Sequence, residues 1–272
     1  MNILNSVCST VCLPGVTTPP LPPLLSPITT GLVNYLDFSS NATVTISSGS
    51  NISSWKNLID GTTNNATVNC TYGVNTTNGV NIGSNGSATP GYLYLTNFPS
   101  SVGDETLFYV ISIGSAPPSG SRINVWLANC HDQIYDPART QTRGYWLVNT
   151  YGTNTYKLGC RNGNGSAVQY SSTFSVTYGQ KYLITITKSS NSSCSSSRLN
   201  GVSINTSFNL PTSINTGLMA FGLIGVLNYG QRGALNVYHP YTLYEFENYN
   251  VNLSLSDIQR TEQYLKNKWA IY

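Results

Sequence analysis

Hydrophobic and polar residues alternate in short runs along most of this chain. Thr43-Val44-Thr45-Ile46 alternates, and Leu93-Tyr94-Leu95 follows a Pro90-Gly91 turn. Leu107 to Ile113 is a longer apolar and aromatic run, and Arg122 to Leu127 alternates cleanly. Tyr145 to Val148, Tyr182 to Thr187 and Gly201 to Ile204 do the same. A period of two sends successive side chains to opposite faces, so each run reads as a strand with one buried face. Clusters such as Asn162-Gly163-Asn164-Gly165 separate the runs and supply turns. Short strands at this rhythm predict a sandwich or barrel. No internal repeat is visible, which argues against a propeller or solenoid.

One segment carries a helical period. From Leu255 to Lys266, Ser256 is placed to cap and Gln259 to complete a capping box. Asp257 near the start and Lys266 near the end suit the helix dipole. Ile258, Leu265 and Trp269 fall on one apolar face.

The 272 residues suit one large all-β domain. Residues 1–30 stand apart from it. They hold six of the thirteen prolines, no charge, and the run Pro19-Pro20-Leu21-Pro22-Pro23. Proline fixes φ and removes donors, so this stretch reads as an extended arm ahead of a domain at 31–272. Its leucines suit docking on a partner; an unstructured tail is the alternative.

Composition narrows the function classes. Only 8% of residues are charged, against about 25% in ordinary soluble domains. Asn, Ser, Thr, Gly and Tyr replace Lys and Glu, which leaves a polar surface with little self-repulsion. That suits packing in an assembly or facing the outside; an AT-rich genome is the competing explanation. The net charge of +3 is scattered, so the basic face that nucleic acid requires is not expected. No run approaches 18 apolar residues, and Met1 to Gly15 lacks a basic n-region, so neither a membrane span nor standard secretion is expected. Six cysteines (Cys8, Cys12, Cys70, Cys130, Cys160 and Cys194) allow three disulfides or free thiols. Ten N-x-S/T sequons are present, as chance allows in so Asn- and Ser-rich a chain.

The two ends of the domain resemble a known family. The close, Leu243-Tyr244-Glu245-Phe246 with Leu255-Ser256-Asp257 and Tyr264-Leu265-Lys266-Asn267-Lys268-Trp269, resembles the last strand and capping helix of laminin-G-like, concanavalin A-like jelly rolls. The opening, Tyr35-Leu36-Asp37, Val44-Thr45-Ile46 and Ile52 to Asn57, is similar to the first strands of that family, and Asn64 to Thr67 fits their end. Ala270 stands where the family usually has Gly, and Tyr35 where it usually has Trp. The resemblance implies a two-sheet antiparallel jelly-roll sandwich with one short C-terminal capping helix. It also implies carbohydrate binding, adhesion or assembly, in virion or bacterial surface proteins.

Catalytic patterns are scarce. Glycoside hydrolysis needs two carboxylates across one groove, and only ten acids exist. Glu245-Phe246-Glu247 puts two on one face, but the third member of the related hydrolases' motif is missing, and in the resembling proteins this strand is structural. No G-x-S-x-G occurs, and Cys130 and His131 are strand neighbours that point apart. No enzyme is expected.

The one polar concentration runs from His131 to Arg143 between two strands. Long loops on rigid sandwiches carry function. Asp132 and Asp136 with backbone oxygens could hold Ca²⁺, and Arg139 and Arg143 with Tyr145 or Trp146 could bind sugar. The alternative is a loop whose Asp and Arg pair with each other. Trp126 shares the outer face of its strand with Asn124 and Arg122, which suits a glycan platform, a subunit contact or packing under a loop. The expected function is therefore a non-catalytic virion component, a minor capsid, vertex or fibre protein. It would form a homo-oligomer and contact neighbouring subunits through residues 1–30. The alternative is a carbohydrate-binding adhesin of a secreted or cell-surface type, with a glycan-cleaving enzyme ranked last.

Overall fold

The computed structural model describes residues 26–66, 71–72, 79–82, 93–95, 104–116, 122–131, 142–149, 153–161, 169–188, 196–204, 219–221, 236–238 and 241–272. From the N-terminus come β1 (Leu32–Asp37), a 3-10 turn (Asn41–Thr43), β2 (Val44–Ser48), β3 (Asn51–Lys56), β4 (Thr63–Ala66), β5 (Thr71–Tyr72), β6 (Val80–Ile82) and β7 (Leu93–Leu95). Next are β8 (Glu105–Ser112), β9 (Arg122–His131), β10 (Thr142–Asn149), β11 (Thr155–Arg161), β12 (Gln169–Tyr170), β13 (Phe174–Ser175) and β14 (Lys181–Lys188). The chain closes with β15 (Ser197–Leu199), β16 (Val202–Ser203), β17 (Met219–Phe221), β18 (Asn236–Tyr238), β19 (Tyr241–Tyr249) and α1 (Leu255–Trp269).

Pairing sorts these strands into two antiparallel sheets. The first runs β1–β19–β8–β14–β15–β16. The second runs β2–β3–β4–β7–β17–β9–β10–β11, with β12 and β13 both on β11. Strand β18 joins β9 in parallel. Strands β5 and β6 carry the ladder from β3 across to β19. The result is the expected concanavalin A-like sandwich with one C-terminal helix.

Alternation explains which side chains meet. Leu36, Phe246, Tyr109 and Ile111 of the first sheet pack against Trp55, Leu93, Val125 and Leu147 of the second. The opposite face of the first sheet is also buried, which is why β8 and β14 read as near-continuous apolar runs. There Phe108, Val110, Leu183 and Tyr249 pack under Ile258, Leu265 and Trp269 of α1. A bulge in β19 between Leu243 and Glu245 rephases that strand, so Leu243 faces the main core while Tyr244 and Glu245 both reach the helix. The outer edge of β1 is sealed by the β3–β4 turn. Asn57 Oδ1 accepts from Tyr35 N at 2.9 Å, and Leu58 N donates to Tyr35 O at 2.9 Å.

Two local expectations change. The cap of α1 is Ser254, not Ser256: Ser254 is extended, and its Oγ accepts from Asp257 N at 3.2 Å. Ser254 Oγ also meets Asp257 Oδ2 at 2.7 Å, so Asp257 takes the box position expected of Gln259. Gly201–Ile204 is not one strand. Asn200 and Gly201 both have positive φ, 50° and 85°, and form the two-residue turn between β15 and β16.

The stretch expected as an arm is described only from Ser26, and Ile28 packs against the helix-side core. Just beyond it, Gly31 has φ +76°, and a Cβ there would lie 2.6 Å from Val251 Cγ2. Gly31→Ala should cost about 2 kcal/mol, combining left-handed strain with that clash. Gly49→Ala (φ +59°, nothing within 4 Å) carries the backbone term alone. Thermal unfolding of the two variants should show Gly31→Ala as the less stable.

Candidate functional site

Strands β9, β10, β11 and β12 lie side by side in the second sheet. Val125, Leu127, Tyr145, Leu147, Tyr156 and Leu158 are buried in the core. The intervening positions therefore occupy the outer face. Register brings four of them into one row: Trp126 pairs with Trp146, Trp146 with Gly159, and Gly159 with Tyr170. Tyr170 is 44% exposed. Gly159 itself is buried, and Lys157, two residues before it on β11, is half-buried. The next outer position, Gly144, pairs with Arg161 and with Asn129.

The residues picked from sequence divide on this frame. Trp126 and Trp146 come together across the β9–β10 ladder. Tyr145 is 1% exposed and belongs to the main core. Arg143 is two residues from Tyr145, on the same parity, and pairs with Cys130. Asp132, Asp136 and Arg139 lie outside the described residues, on the connection between β9 and β10. Among the cysteines, Cys8, Cys12, Cys70 and Cys194 also lie outside them. Sequence reading did not single out Gly159, Lys157, Arg161 or Tyr170. Their signal is the register between β10, β11 and the two-residue β12, which no local pattern encodes.

A second polar concentration lies between β1, β19 and α1. Asp37 pairs directly with Glu245, and Tyr35 with Glu247. Lys268 reaches down from the helix, its Nζ 2.8 Å from both Asp37 Oδ2 and Glu245 Oε2. The Trp269 indole N–H donates to Glu245 Oε2, and Tyr249 OH donates to Glu247 Oε2 at 2.7 Å. Glu245 Oε1 and Glu247 Oε1 are buried without a hydrogen-bond partner among the described residues. Burial, opposed by the charge of Lys268, lifts the Glu245 carboxyl to about 7. Burial, reinforced by the neighbouring charge of Glu245, lifts Glu247 to about 8. Burial opposes ionisation of Asp37 too, but the hydrogen bond and charge of Lys268 outweigh it and hold that carboxyl below its usual range. The two carboxylates on one strand face, suggestive of hydrolysis in sequence, are thus sealed beneath the helix. Both are buried there, where they anchor it.

Among the described residues, no group of three His, Cys, Asp or Glu could hold a metal ion, and no helix is long and apolar enough to cross a membrane. No protein-family model matches the chain, and no curated protein is similar to it. Solved structures are. Botulinum neurotoxin type C, which depends on interaction with two ganglioside molecules to enter cells, is similar over 88% of this chain and 51% of its own, at 13% identity and a TM-score of 0.56. The binding domain of botulinum neurotoxin DC, solved in complex with SialylT, matches over 88% and 52%, at 13% identity and a TM-score of 0.55. Trypanosoma rangeli sialidase, solved as a covalent intermediate with 2,3-difluorosialic acid, matches over 89% and 33%, at 15% identity and a TM-score of 0.57. This chain spans about half the length of the toxin chains and about a third of the sialidase. What it shares with them is the β-sandwich fold.

Proposed function

We propose that this chain is a carbohydrate-binding domain that presents the outer face of β9–β12 to glycans. The observation that carries this reading is the register of β9 against β10, which sets Trp126 directly opposite Trp146. Aromatic rings offer flat apolar area to the C–H faces of sugars, and adjacent polar groups fix orientation. The connection bearing Asp132, Asp136 and Arg139 joins the same two strands. Fold likeness to ganglioside-dependent toxins and to sialidases supports a glycan ligand over other partners. It gives no separate support to a virion subunit, although display on an outer surface suits the charge-poor composition. Binding without cleavage fits the sealing of Glu245 and Glu247 beneath the helix.

A glycan array probed with the full chain, followed by titration calorimetry on the hits, tests the reading. Trp126→Ala and Trp146→Ala should each weaken binding by about tenfold or more, with unfolding temperatures close to that of the parent. Chelation by EDTA should weaken binding as well if Asp132 and Asp136 hold Ca²⁺. Absence of binding to every glycan class would overturn the proposal.

A further inference from the structure

Leu58 and Ile59, neighbours on the turn between β3 and β4, are 41% and 44% exposed. The other large apolar residues this exposed among the described ones, Tyr170, Val202, Leu255 and Tyr272, stand singly along the chain. Single exposed apolar side chains are ordinary, but an adjacent pair on a fixed turn is ground for a contact. This turn is fixed. Asn57, 1% exposed, accepts at Oδ1 from Tyr35 N at 2.9 Å and from Ile59 N at 3.2 Å. Its Nδ2 donates to Asn34 Oδ1 at 3.0 Å, and Leu58 N donates to Tyr35 O at 2.9 Å. At the far end Gly61 N donates to Asn57 O at 3.0 Å, and Thr62 N to Asp60 Oδ1 at 2.8 Å. The pair is therefore exposed on a turn held at both ends, not on a loose loop.

The turn lies on the outer edge of β1, where the chain arrives from its N-terminal arm. Ile28, four residues before β1, and Tyr35 within it are half-buried and pack on the helix-side core. The residues ahead of Ser26 include Leu21, Leu24 and Leu25, and nothing in 1–30 is charged. Leu21 is seven residues before Ile28, a reach of about 22 Å in the extended polyproline form. The six residues of β1 span about 20 Å, so the arm is long enough to run back past the turn. A tether this short gives the chain's own segment an effective concentration on the order of millimolar, which favours it over a second copy in dilute solution.

We propose that the segment Leu21–Leu25 of the same chain docks on Leu58 and Ile59, folding the arm back along the edge of β1. Its leucines cover the exposed pair. Pro22 and Pro23 between them have φ already fixed and no N–H to satisfy, so the extended form costs little entropy. Asn57 and Leu58 already occupy backbone groups of Val33 and Tyr35 on that edge, so side chains rather than a strand ladder hold the arm. An arm held on its own domain is withheld from neighbouring copies, and a subunit contact through residues 1–30 then requires its release.

The test uses the full chain with the photo-cross-linker p-benzoylphenylalanine in place of Ile59, made as light and heavy-nitrogen copies mixed in equal amounts. After illumination and digestion, mass spectrometry should find position 59 joined to residues 21–25 within chains of one label. Light-to-heavy cross-links would mean that a second copy covers the turn. Cross-links to other segments, or none, would mean that the arm does not lie there. Each of these results overturns the proposal. Thermolysin, which cuts before leucine, gives a second reading. The double variant Leu58→Ser/Ile59→Ser should be nicked in the arm about tenfold faster than the parent, because cleavage follows the undocked population. Val202→Ser, at an exposed valine on β16, should be nicked at the parental rate. Equal rates for all three proteins would overturn the proposal too, and the cross-link decides the matter should the double variant fail to fold.

Discussion

Lys268→Met should lower the unfolding free energy by about 3 kcal/mol, the lower end of the range for breaking a buried ion pair because Lys268 is 20% exposed. In a domain of this size that is roughly 6–12 °C in the thermal midpoint. The lysine serves two carboxylates at once. Its Nζ lies 2.8 Å from Asp37 Oδ2 and 2.8 Å from Glu245 Oε2, and it sits 5.5 Å from the Trp269 ring. Asp37 is near solvent and can rehydrate when the cation is removed. Glu245 cannot: its side chain is fully buried, and it would keep only the Trp269 indole as a donor. A carboxylate left in that position must take up a proton or pull water under the helix, and either weakens the seam between α1 and β19. The double variant Lys268→Met/Glu245→Gln should recover part of the loss, since the orphaned charge is gone. Denaturant unfolding at neutral pH measures the parent, Lys268→Met, Glu245→Gln and the double variant. A single-variant cost below about 1 kcal/mol, or a double variant as unstable as the sum of its parts, would show that the helix is held by apolar packing alone.

The same seam shows which parts of the fold were legible in sequence. The strands were readable where one face is buried, as in Arg122–Leu127 and Tyr182–Thr187, because burial on one side imposes a period of two. The closing helix was readable because Ile258, Leu265 and Trp269 keep one face. Its cap was misplaced by two residues: Ser254 and Ser256 are both plausible from composition, and only backbone geometry chooses. Glu245 and Glu247 were correctly placed on one face, yet their burial under Lys268 depends on a helix arriving from twenty residues on. The candidate surface divided for the same reason. Trp126 and Trp146 were each visible as strand aromatics. That Tyr145 turns inward follows from the phase of β10 against the core. That Gly159 and Tyr170 extend the row follows from long-range register, which one sequence does not display.

Stability should fall as pH rises from about 5.5 to 9, and Glu247→Gln should remove the larger share of the fall, Glu245, raised to about 7, supplying the rest. Glu247 is fully buried, accepts one hydrogen bond from Tyr249, and has Glu245 for a neighbour. Asp37, Glu245 and Glu247 face one ammonium, that of Lys268, with Tyr35, Tyr249 and Tyr264 around them. These phenols are held above their usual range, chiefly by burial, and stay neutral throughout. Lys181, over the Tyr244 and Trp269 rings at 4.7 and 4.9 Å, flanks the seam without joining it. Three carboxylates against one cation leave an excess of negative charge that the folded state limits by holding protons. The sign follows from linkage. A carboxyl raised to about 8 when folded, from 4.5 when free, keeps in the folded state a proton that the unfolded chain has released. Its contribution is therefore whole below about pH 4.5 and is lost progressively as pH rises through 8. Asp37, lowered by Lys268, acts oppositely and costs stability only as pH falls into the usual carboxylate range. Together they place the optimum at mildly acidic pH. The loss on reaching pH 9 is on the order of a few kcal/mol, and Gln at 247, neutral at every pH, should be less stable than the parent at pH 5.5 but close to or above it at pH 9. Thermal unfolding of both proteins at the two pH values decides the matter. A parent midpoint that is flat or rises between pH 6 and 9 would mean that Glu247 is already ionised and that the helix accommodates its charge.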